Sequence, residues 1–181
     1  MKTTKFNDEV LFVVDDIVQL DVSDIEELKK KARQNPRKRI RICAHKDTKD
    51  HIHEMLIVHE KSCYVRPHKH ANKTETFHII EGKADIILFD EGGTIDESIA
   101  MGEIDSGLKF FYRLPPDRYH TMLIKSEVLV FHEITNGPFM AHETSMASWS
   151  PEETDLDAVK KYIEKLSRSS KNIKNYDMSS N

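Results

Sequence analysis

The chain has 181 residues, of which 38% are hydrophobic and 32% are charged, and this composition predicts one globular domain with a well-solvated surface. The net charge of −4 argues against a general attraction to nucleic acid, and no apolar run approaches the roughly 20 residues that span a bilayer. The N-terminus does not resemble a signal peptide. Cys43 and Cys63 are therefore expected to be free thiols in a reducing, cytoplasmic compartment.

The first 36 residues predict an N-terminal extension of one strand and one helix. Residues 9–14 are β-branched and strand-like. Ser23 and Glu26 have the spacing of a capping box, which predicts a helix that begins there and runs to about Gln34. The buried stripe of this helix consists of Ile25, Leu28 and Ala32.

Residues 37–137 carry almost only β signals and predict a barrel. The predicted strands lie at 39–45, 55–58, 62–66, 77–80, 84–89, 109–114, 121–124 and 128–134. Many short strands at regular spacing are typical of a β-sandwich or a jelly-roll barrel.

Residues 138–181 predict a C-terminal segment with one amphipathic helix. Thr154 to Asp157 supply its cap, and from about Ser167 the Ser-, Asn- and Lys-rich tail is expected to fray. The apolar residues recur at helical spacing, so they are expected to pack on the barrel or on a partner chain. They are Leu156, Val159, Tyr162, Ile163 and Leu166. This face and the sheet edges are compatible with a homodimer.

His68 and His70 form the most informative motif of the chain. On a strand, residues i and i+2 point to the same side, so both imidazoles can reach one point. Glu75 can add a carboxylate from the following turn, and His120 is a fourth candidate. Imidazoles with one carboxylate suit a transition ion, one per chain, rather than Ca or Mg; the candidates are Fe, Mn, Ni, Co, Cu and Zn. The alternative is that these are surface residues around a turn.

These residues resemble the cupin signature, which is matched at His68, His70, Glu75 and Gly82, and more loosely at 115–120, where Asp117 stands in place of a glycine. Stretches 39–45, 64–70, 75–82, 111–115, 131–139 and 147–151 resemble the narrower WbuC-type cupin-fold metalloproteins. The resemblance implies an all-β cupin double-stranded β-helix, a jelly-roll barrel flanked here by N- and C-terminal helices. It also implies a metal between the sheets and an association with bacterial surface-polysaccharide biosynthesis.

The strand at 39–45 places Arg39, Arg41, Cys43 and His45 on one face and its Ile residues on the other. Guanidinium groups donate in a fixed fork that suits phosphate or carboxylate. One hypothesis puts Arg41 and His45 beside the metal as substrate-binding groups, with Arg113 as a further anchor. The alternative is a solvated face, or ion pairs with acidic residues.

Four residues are candidates for general acid or base chemistry, namely Tyr112, Arg113, His132 and Glu133, although a buried structural role fits each of them too. Strand parity sends Tyr112 and Arg113 to opposite faces, and likewise His132 and Glu133. His78 is expected to face away from the metal.

The remaining histidines are expected to be exposed. His51 and His53 form a second pair at i and i+2 without a matching carboxylate, and they are expected at a solvent-exposed strand edge. His59 and His142 are also expected to be exposed.

Two classes of function follow. The first is a metal-dependent enzyme acting on a small anionic or sugar-derived molecule, either as an isomerase or epimerase or, with Fe(II), as a dioxygenase. The second is a non-catalytic sugar or nucleotide-sugar binding module with a structural metal.

Overall fold

The computed structural model describes the backbone of residues 2–178 and the side chains of residues 2–170. Its regular elements in chain order are β1 (Thr3–Lys5), β2 (Val10–Val13), α1 (Val22–Gln34), β3 (Arg39–Cys43), β4 (Ile52–Glu60), β5 (His68–His70), β6 (Glu75–Glu81), β7 (Lys83–Phe89), β8 (Ile95–Gly102), β9 (Phe111–Leu114), β10 (Tyr119–Ile124), β11 (Val128–Asn136), β12 (Thr144–Met146) and α2 (Leu156–Met178). Short 3-10 helices lie at Ile104–Ser106 and Ala141–Glu143.

The strands form two sheets. The larger has seven strands in the order β1-β2-β3-β4-β11-β6-β9, and the smaller has five in the order β12-β5-β10-β7-β8. All of these pairings are antiparallel except that of β2 with β3. Both sheets contribute buried apolar side chains to one core cluster, among them Ile57, Phe77, Ile86 and Met122. The predicted all-β fold, with one helix near each end of the chain, is confirmed.

Strand β3 separates an apolar layer from the barrel interior. Ile40 and Ile42 are buried on its outer face, where they join Leu28 and Ala32 of α1 in a second apolar cluster. The alternate residues of the strand, Arg41 among them, therefore point into the barrel. The helix covers the Ile face, so the Arg face is left to line the interior.

Helix α1 begins one residue earlier than Ser23, and Asp21 is its N-cap. The Asp21 carboxylate accepts hydrogen bonds from the backbone N–H groups of Ser23 at 2.7 Å and Asp24 at 3.2 Å. The carboxylate of Asp24 accepts in turn from the Asp21 N–H at 3.1 Å. The prediction of a Ser23–Glu26 box was wrong because the acidic pair at 21 and 24 has the same spacing and a charged acceptor is the stronger cap.

Two strand predictions were also wrong. Residues 62–66 contain no strand, and pairing instead begins beyond Pro67, at His68. Strand β8 was missed because it lies at the edge of its sheet, where Asp96 and Glu97 are exposed and no alternation of apolar residues marks it.

Helix α2 packs on the five-stranded sheet. The Asp155 carboxylate accepts from the Ala158 N–H at 3.0 Å near its start, and Leu166 joins Ile87 and Phe89 of β7 in an apolar cluster. Leu156 was expected in this face but is 75% exposed. The backbone stays helical to Met178, beyond the expected fraying point at 167, and residues 179–181 lie outside the described residues.

The terminal segments are continuous with the barrel. Strands β1 and β2 extend the seven-stranded sheet, and β12 extends the five-stranded one. The division into 1–36, 37–137 and 138–181 therefore stays a prediction about folding units. Neither helix that the structure describes is long and apolar enough to cross a membrane.

Candidate metal centre

Four side chains from three strands meet in what we call the ligand cluster. His68 and His70 lie on β5, Glu75 begins β6, and His120 lies on β10 directly opposite His68 in the antiparallel register. Each residue offers one potential ligand atom, and these four atoms all lie within 4.8 Å of one another. The residues of the sequence motif are therefore close together in the structure.

Contacts of the Nδ1 atoms orient the imidazole rings of the ligand cluster so that their Nε2 atoms face Glu75. Nδ1 of His68 lies 2.8 Å from the carbonyl oxygen of Arg66, and Nδ1 of His120 lies 3.0 Å from that of Arg118. Nδ1 of His70 lies 2.9 Å from Oγ1 of Thr144. Because a carbonyl oxygen only accepts, Nδ1 of His68 and His120 carries the proton, and in the neutral ring each Nε2 keeps its lone pair. This arrangement is typical of histidines that bind a metal.

The Glu75 carboxylate closes the cluster. Its Oε1 lies 3.0 Å from Nε2 of His70, and its Oε2 lies 2.9 Å from Nε2 of His120. The second contact is close but not aligned as a hydrogen bond, so Oε2 is buried without one. A buried oxygen of this kind needs a partner, and a cation among three imidazoles supplies it. The residues therefore fit a divalent transition metal.

The electrostatics of the cluster favour the metal-binding form of Glu75 and His68. Burial opposes protonation of His120, but Glu75 outweighs it and raises the pKa of that ring. Burial opposes ionisation of Glu75, but His120 and His70 outweigh it and hold the pKa of this carboxyl well below its usual range. Burial, and then the neighbouring His120, lowers the pKa of His68 to about 3. An ionised carboxylate beside a neutral imidazole is the pairing that metal binding requires.

Two turns hold the cluster in place. Gly82 has φ of +88°, and a Cβ there would lie 2.3 Å from the Val128 carbonyl oxygen, so only glycine fits. Asp117 has φ of +64°, in the left-handed region, although it is not a glycine. Its N–H donates to the His70 carbonyl oxygen at 2.8 Å. Asp tolerates this conformation, so the turn before His120 keeps its geometry.

The ligand cluster lies in the wall of a cavity of about 440 Å³, a size suited to a small molecule. Arg41 and His45, which were expected beside the metal, line the same cavity. Nε of Arg41 is buried without a hydrogen bond. The ring of His45 stacks on that of His53 with centroids 4.1 Å apart, and its Nδ1 lies 3.2 Å from the Glu54 carbonyl oxygen.

Charged side chains meet in pairs elsewhere along the cavity wall, in a group that we call the ion-paired end. Nε of Arg39 lies 2.8 Å from Oε2 of Glu9, and Nη1 of Arg37 lies 3.0 Å from Oε1 of Glu9. Both arginines also contact Glu153. The alternative interpretation of the basic strand, ion pairing, therefore describes Arg39 but not Arg41.

Sequence reasoning missed three residues of the cavity. His53 and His59 were expected to be exposed, but they are 4% and 8% exposed and line the cavity. They share strand parity with the buried Met55 and Ile57 of β4, and this signal could have found them. Lys73, 5% exposed, lies in the loop between β5 and β6, where no periodicity marks an inward residue.

Two of the four acid–base candidates, Arg113 and His132, lie on the outer face of the seven-stranded sheet. Arg113 is exposed on β9 and does not line the cavity. His132 lines a separate pocket of about 310 Å³ on the outer face of the sheet, where His78 lies beside it. Both are corrections, because their strand parity directs them away from the interior. His78 does face away from the ligand cluster.

The two other candidates point inward. Tyr112 is buried in the core, its ring centroid 5.8 Å from that of Phe77, and it is not among the residues that line the cavity. Glu133 does line the cavity. Removal from water, and then the charge of Glu75, raises the pKa of Glu133 to about 8.

Comparison with known proteins gives a family match and several likenesses to solved structures. The family described as "Domain of unknown function (DUF6016)" matches residues 20–101, which is less than half of the chain. No curated protein matches.

A protein from Shewanella oneidensis is 8% identical, with 57% of this chain and 66% of that one covered and a TM-score of 0.47. An uncharacterized conserved protein with a double-stranded β-helix domain from Klebsiella pneumoniae is 12% identical, with 60% and 79% covered and a TM-score of 0.47. A putative sugar phosphate isomerase from Acidithiobacillus ferrooxidans is 19% identical, with 49% and 51% covered and a TM-score of 0.39. The chain thus spans just under two thirds of the Shewanella protein and about half of the Acidithiobacillus protein.

Proposed function

We propose that this protein is a metal-dependent enzyme that acts on a small anionic or sugar-derived substrate. One observation carries the proposal: three imidazole rings and a buried carboxylate converge in the wall of a cavity with other polar side chains. A cavity of this kind leaves room for a substrate beside the ion. A non-catalytic module with a structural metal would be expected to enclose the ion completely.

The ligand cluster would hold one divalent transition ion. Such an ion, when bound, acts as a Lewis acid that polarises a substrate carbonyl or hydroxyl oxygen. The carboxylate of Glu75 is held ionised for this role, and the Nδ1 contacts of the histidines keep the rings oriented. The protein supplies a fixed, largely buried site.

The cavity wall supplies the other parts of an active site. The guanidinium of Arg41 binds an anionic group of the substrate, because its Nε has no partner within the described residues. His45 is held against the Glu54 backbone and forms a flat wall with His53. Glu133, whose pKa lies near 8, holds a proton on its carboxyl oxygen at neutral pH and can exchange it with the substrate.

The resemblance to WbuC-type cupins gives this proposal a biological setting. We place the enzyme in the cytoplasm, in bacterial surface-polysaccharide biosynthesis, with an isomerase- or epimerase-like reaction. The exposed edge strand β9 is compatible with a homodimer.

Metal analysis of the purified protein tests the proposal. We expect about one transition ion per chain, and we expect a His68→Ala/His70→Ala double variant to lose it because the ligand set is halved. A His51→Ala/His142→Ala double variant is the matched control, since both residues are exposed and lie outside the cluster. Full metal content in the first variant would refute the assignment.

A further inference from the structure

Lys73 is a buried cation that forms no ion pair with a described residue, although it feels the charges of Glu75, Glu133 and Glu143. It is 5% exposed and lines the cavity, and its Nζ lies 4.6 Å from the centroid of the Phe139 ring. Its ammonium makes no hydrogen bond or ion pair to any described residue. Lys29, which is 7% exposed, instead bonds to Glu26 and Glu81 at 2.7 Å. Of these two buried lysines, Lys29 therefore forms ion pairs and Lys73 forms none with the described residues.

Arg41 is a second cation of the cavity wall and is partly buried. Its Nε is buried without a hydrogen bond, and its guanidinium forms no ion pair in the part of the chain that the structure describes. Arg39, two residues earlier on the same face, meets both Glu9 and Glu153. Unpaired charge removed from water is costly, so its presence twice in one cavity needs an explanation.

The acidic groups of the cavity do not supply the missing partners. Glu75 belongs to the ligand cluster, where its oxygens lie 3.0 Å from Nε2 of His70 and 2.9 Å from Nε2 of His120. Glu133 lines the same wall but forms no ion pair with Arg41 or Lys73. Two positive charges are therefore left for a ligand to balance.

The two cations approach the cavity from different places. Arg41 lies on β3, and Lys73 lies just before β6, with β4 and β11 between those strands in the sheet. Three strand spacings are roughly 14 Å of sheet. Both long side chains line the same cavity, so a ligand with two anionic groups can meet both cations.

We propose that the cavity binds a small dianion with two separate acidic groups, either a dicarboxylate or a phosphorylated carboxylic acid. One acidic group lies on the guanidinium of Arg41 and the other on the ammonium of Lys73. The inference rests on the proposed function, since it names the substrate class of the same site. Lys73 becomes a substrate-binding residue beside the ligand cluster.

Calorimetric titration tests the proposal on purified protein of measured metal content. The probes are succinate, 3-phosphoglycerate and monomethyl succinate, which has nearly the shape of succinate but one charge fewer. We expect at least one dianion to bind about tenfold or more tighter than monomethyl succinate, since each charge-assisted contact is worth about tenfold or more. Equal affinity for the dianions and the monoester overturns the proposal, as does no binding of either dianion at millimolar concentration.

Variants locate the contacts. Arg41→Gln and Lys73→Gln should each weaken binding of the dianion by about tenfold or more, while binding of the monoester falls in only one of them. Arg39→Gln and Lys69→Gln are matched controls, because carboxylates already neutralise both residues, and their affinities should stay close to that of the unmodified protein. Unchanged affinity in Arg41→Gln and Lys73→Gln overturns the proposal, provided that thermal unfolding shows them folded.

The two proposals fail separately. If the metal is bound and no dianion binds, the dianion proposal is wrong and the metal site stands. If a dianion binds through Arg41 and Lys73 but no metal is found, the metal-dependent function is wrong and the ligand class stands.

Discussion

The cavity has two regions that handle charge in opposite ways. At the ion-paired end, Arg37 and Arg39 pair with two glutamates. Glu9 lies just before β2, and Glu153 lies just before α2. Around the ligand cluster, neither Arg41 nor Lys73 forms an ion pair with a residue that the structure describes. Arg39 and Arg41 lie on the same face of one strand, so residue type does not set this difference. The difference comes from Glu9 and Glu153, which are distant in sequence and contact Arg39.

The contrast separates stability from function. A partly buried ion pair fixes three chain segments together at the ion-paired end. Unpaired buried charge lowers stability unless a ligand completes it, and active sites commonly accept such a cost. The two regions should therefore respond in opposite directions to the removal of charge.

The largest expected effect concerns His59, which lies opposite Arg39 in the β3–β4 register. Burial, followed by Arg39 and Arg41, lowers its pKa from 6.5 to about 3. The unfolded chain therefore binds a proton at a pH where the folded chain does not. Stability is complete above pH 6.5 and is lost as the pH falls toward 3, with about 2 kcal/mol lost between pH 7 and pH 5.

Urea unfolding of the metal-free protein at pH 7 and pH 5 measures this loss. We expect a His59→Gln variant to show a pH dependence smaller by about that 2 kcal/mol. A His51→Gln variant, in which the lost histidine is exposed, should keep the original slope. Identical slopes for the His59→Gln variant and the unmodified protein would contradict the pKa assignment.

The second prediction compares the two arginines directly. Arg39→Gln should lower the free energy of unfolding by about 1.5 kcal/mol, because it removes one of the two arginines that pair with Glu9 and Glu153 and leaves Arg37 alone with both. Arg41→Gln should change it by less than about 0.5 kcal/mol, since no ion pair is broken. Chemical denaturation measures both. If both variants lost the same free energy of unfolding, the ion-paired end and the ligand cluster would not differ in how they treat charge.

The smallest expected effect is a gain. Lys73→Met keeps the length of the side chain and removes a buried charge whose pKa burial already lowers. We expect the unliganded protein to gain about 1 kcal/mol of stability. Lys29→Met, which breaks the pairing with Glu26 and Glu81, should instead lose stability. A loss in Lys73→Met would mean that the ammonium is satisfied without a ligand.

Local rules predicted much of the candidate site. The i, i+2 relation on a strand brought His68 and His70 together, and it correctly separated Glu133 from His132 and Arg41 from Ile42. It could not say which face of β9 or β11 is interior, because the packing of distant strands decides that. Arg113 and His132 were therefore kept as candidates beside Tyr112 and Glu133, and they lie outside the cavity. His53 and His59 were assigned to the solvent but lie within it.

The sequence by itself determined the all-β fold, the apolar stripe of α1 and three of the metal-ligand candidates, His68, His70 and Glu75, because each depends on neighbours within a few positions of the chain. Only the tertiary structure decided that His120 reaches Glu75, that Arg39 is neutralised while Arg41 is not, and that Lys73 is buried in the cavity. Those outcomes depend on contacts between segments from Glu9 to Glu153, and no local periodicity encodes such contacts.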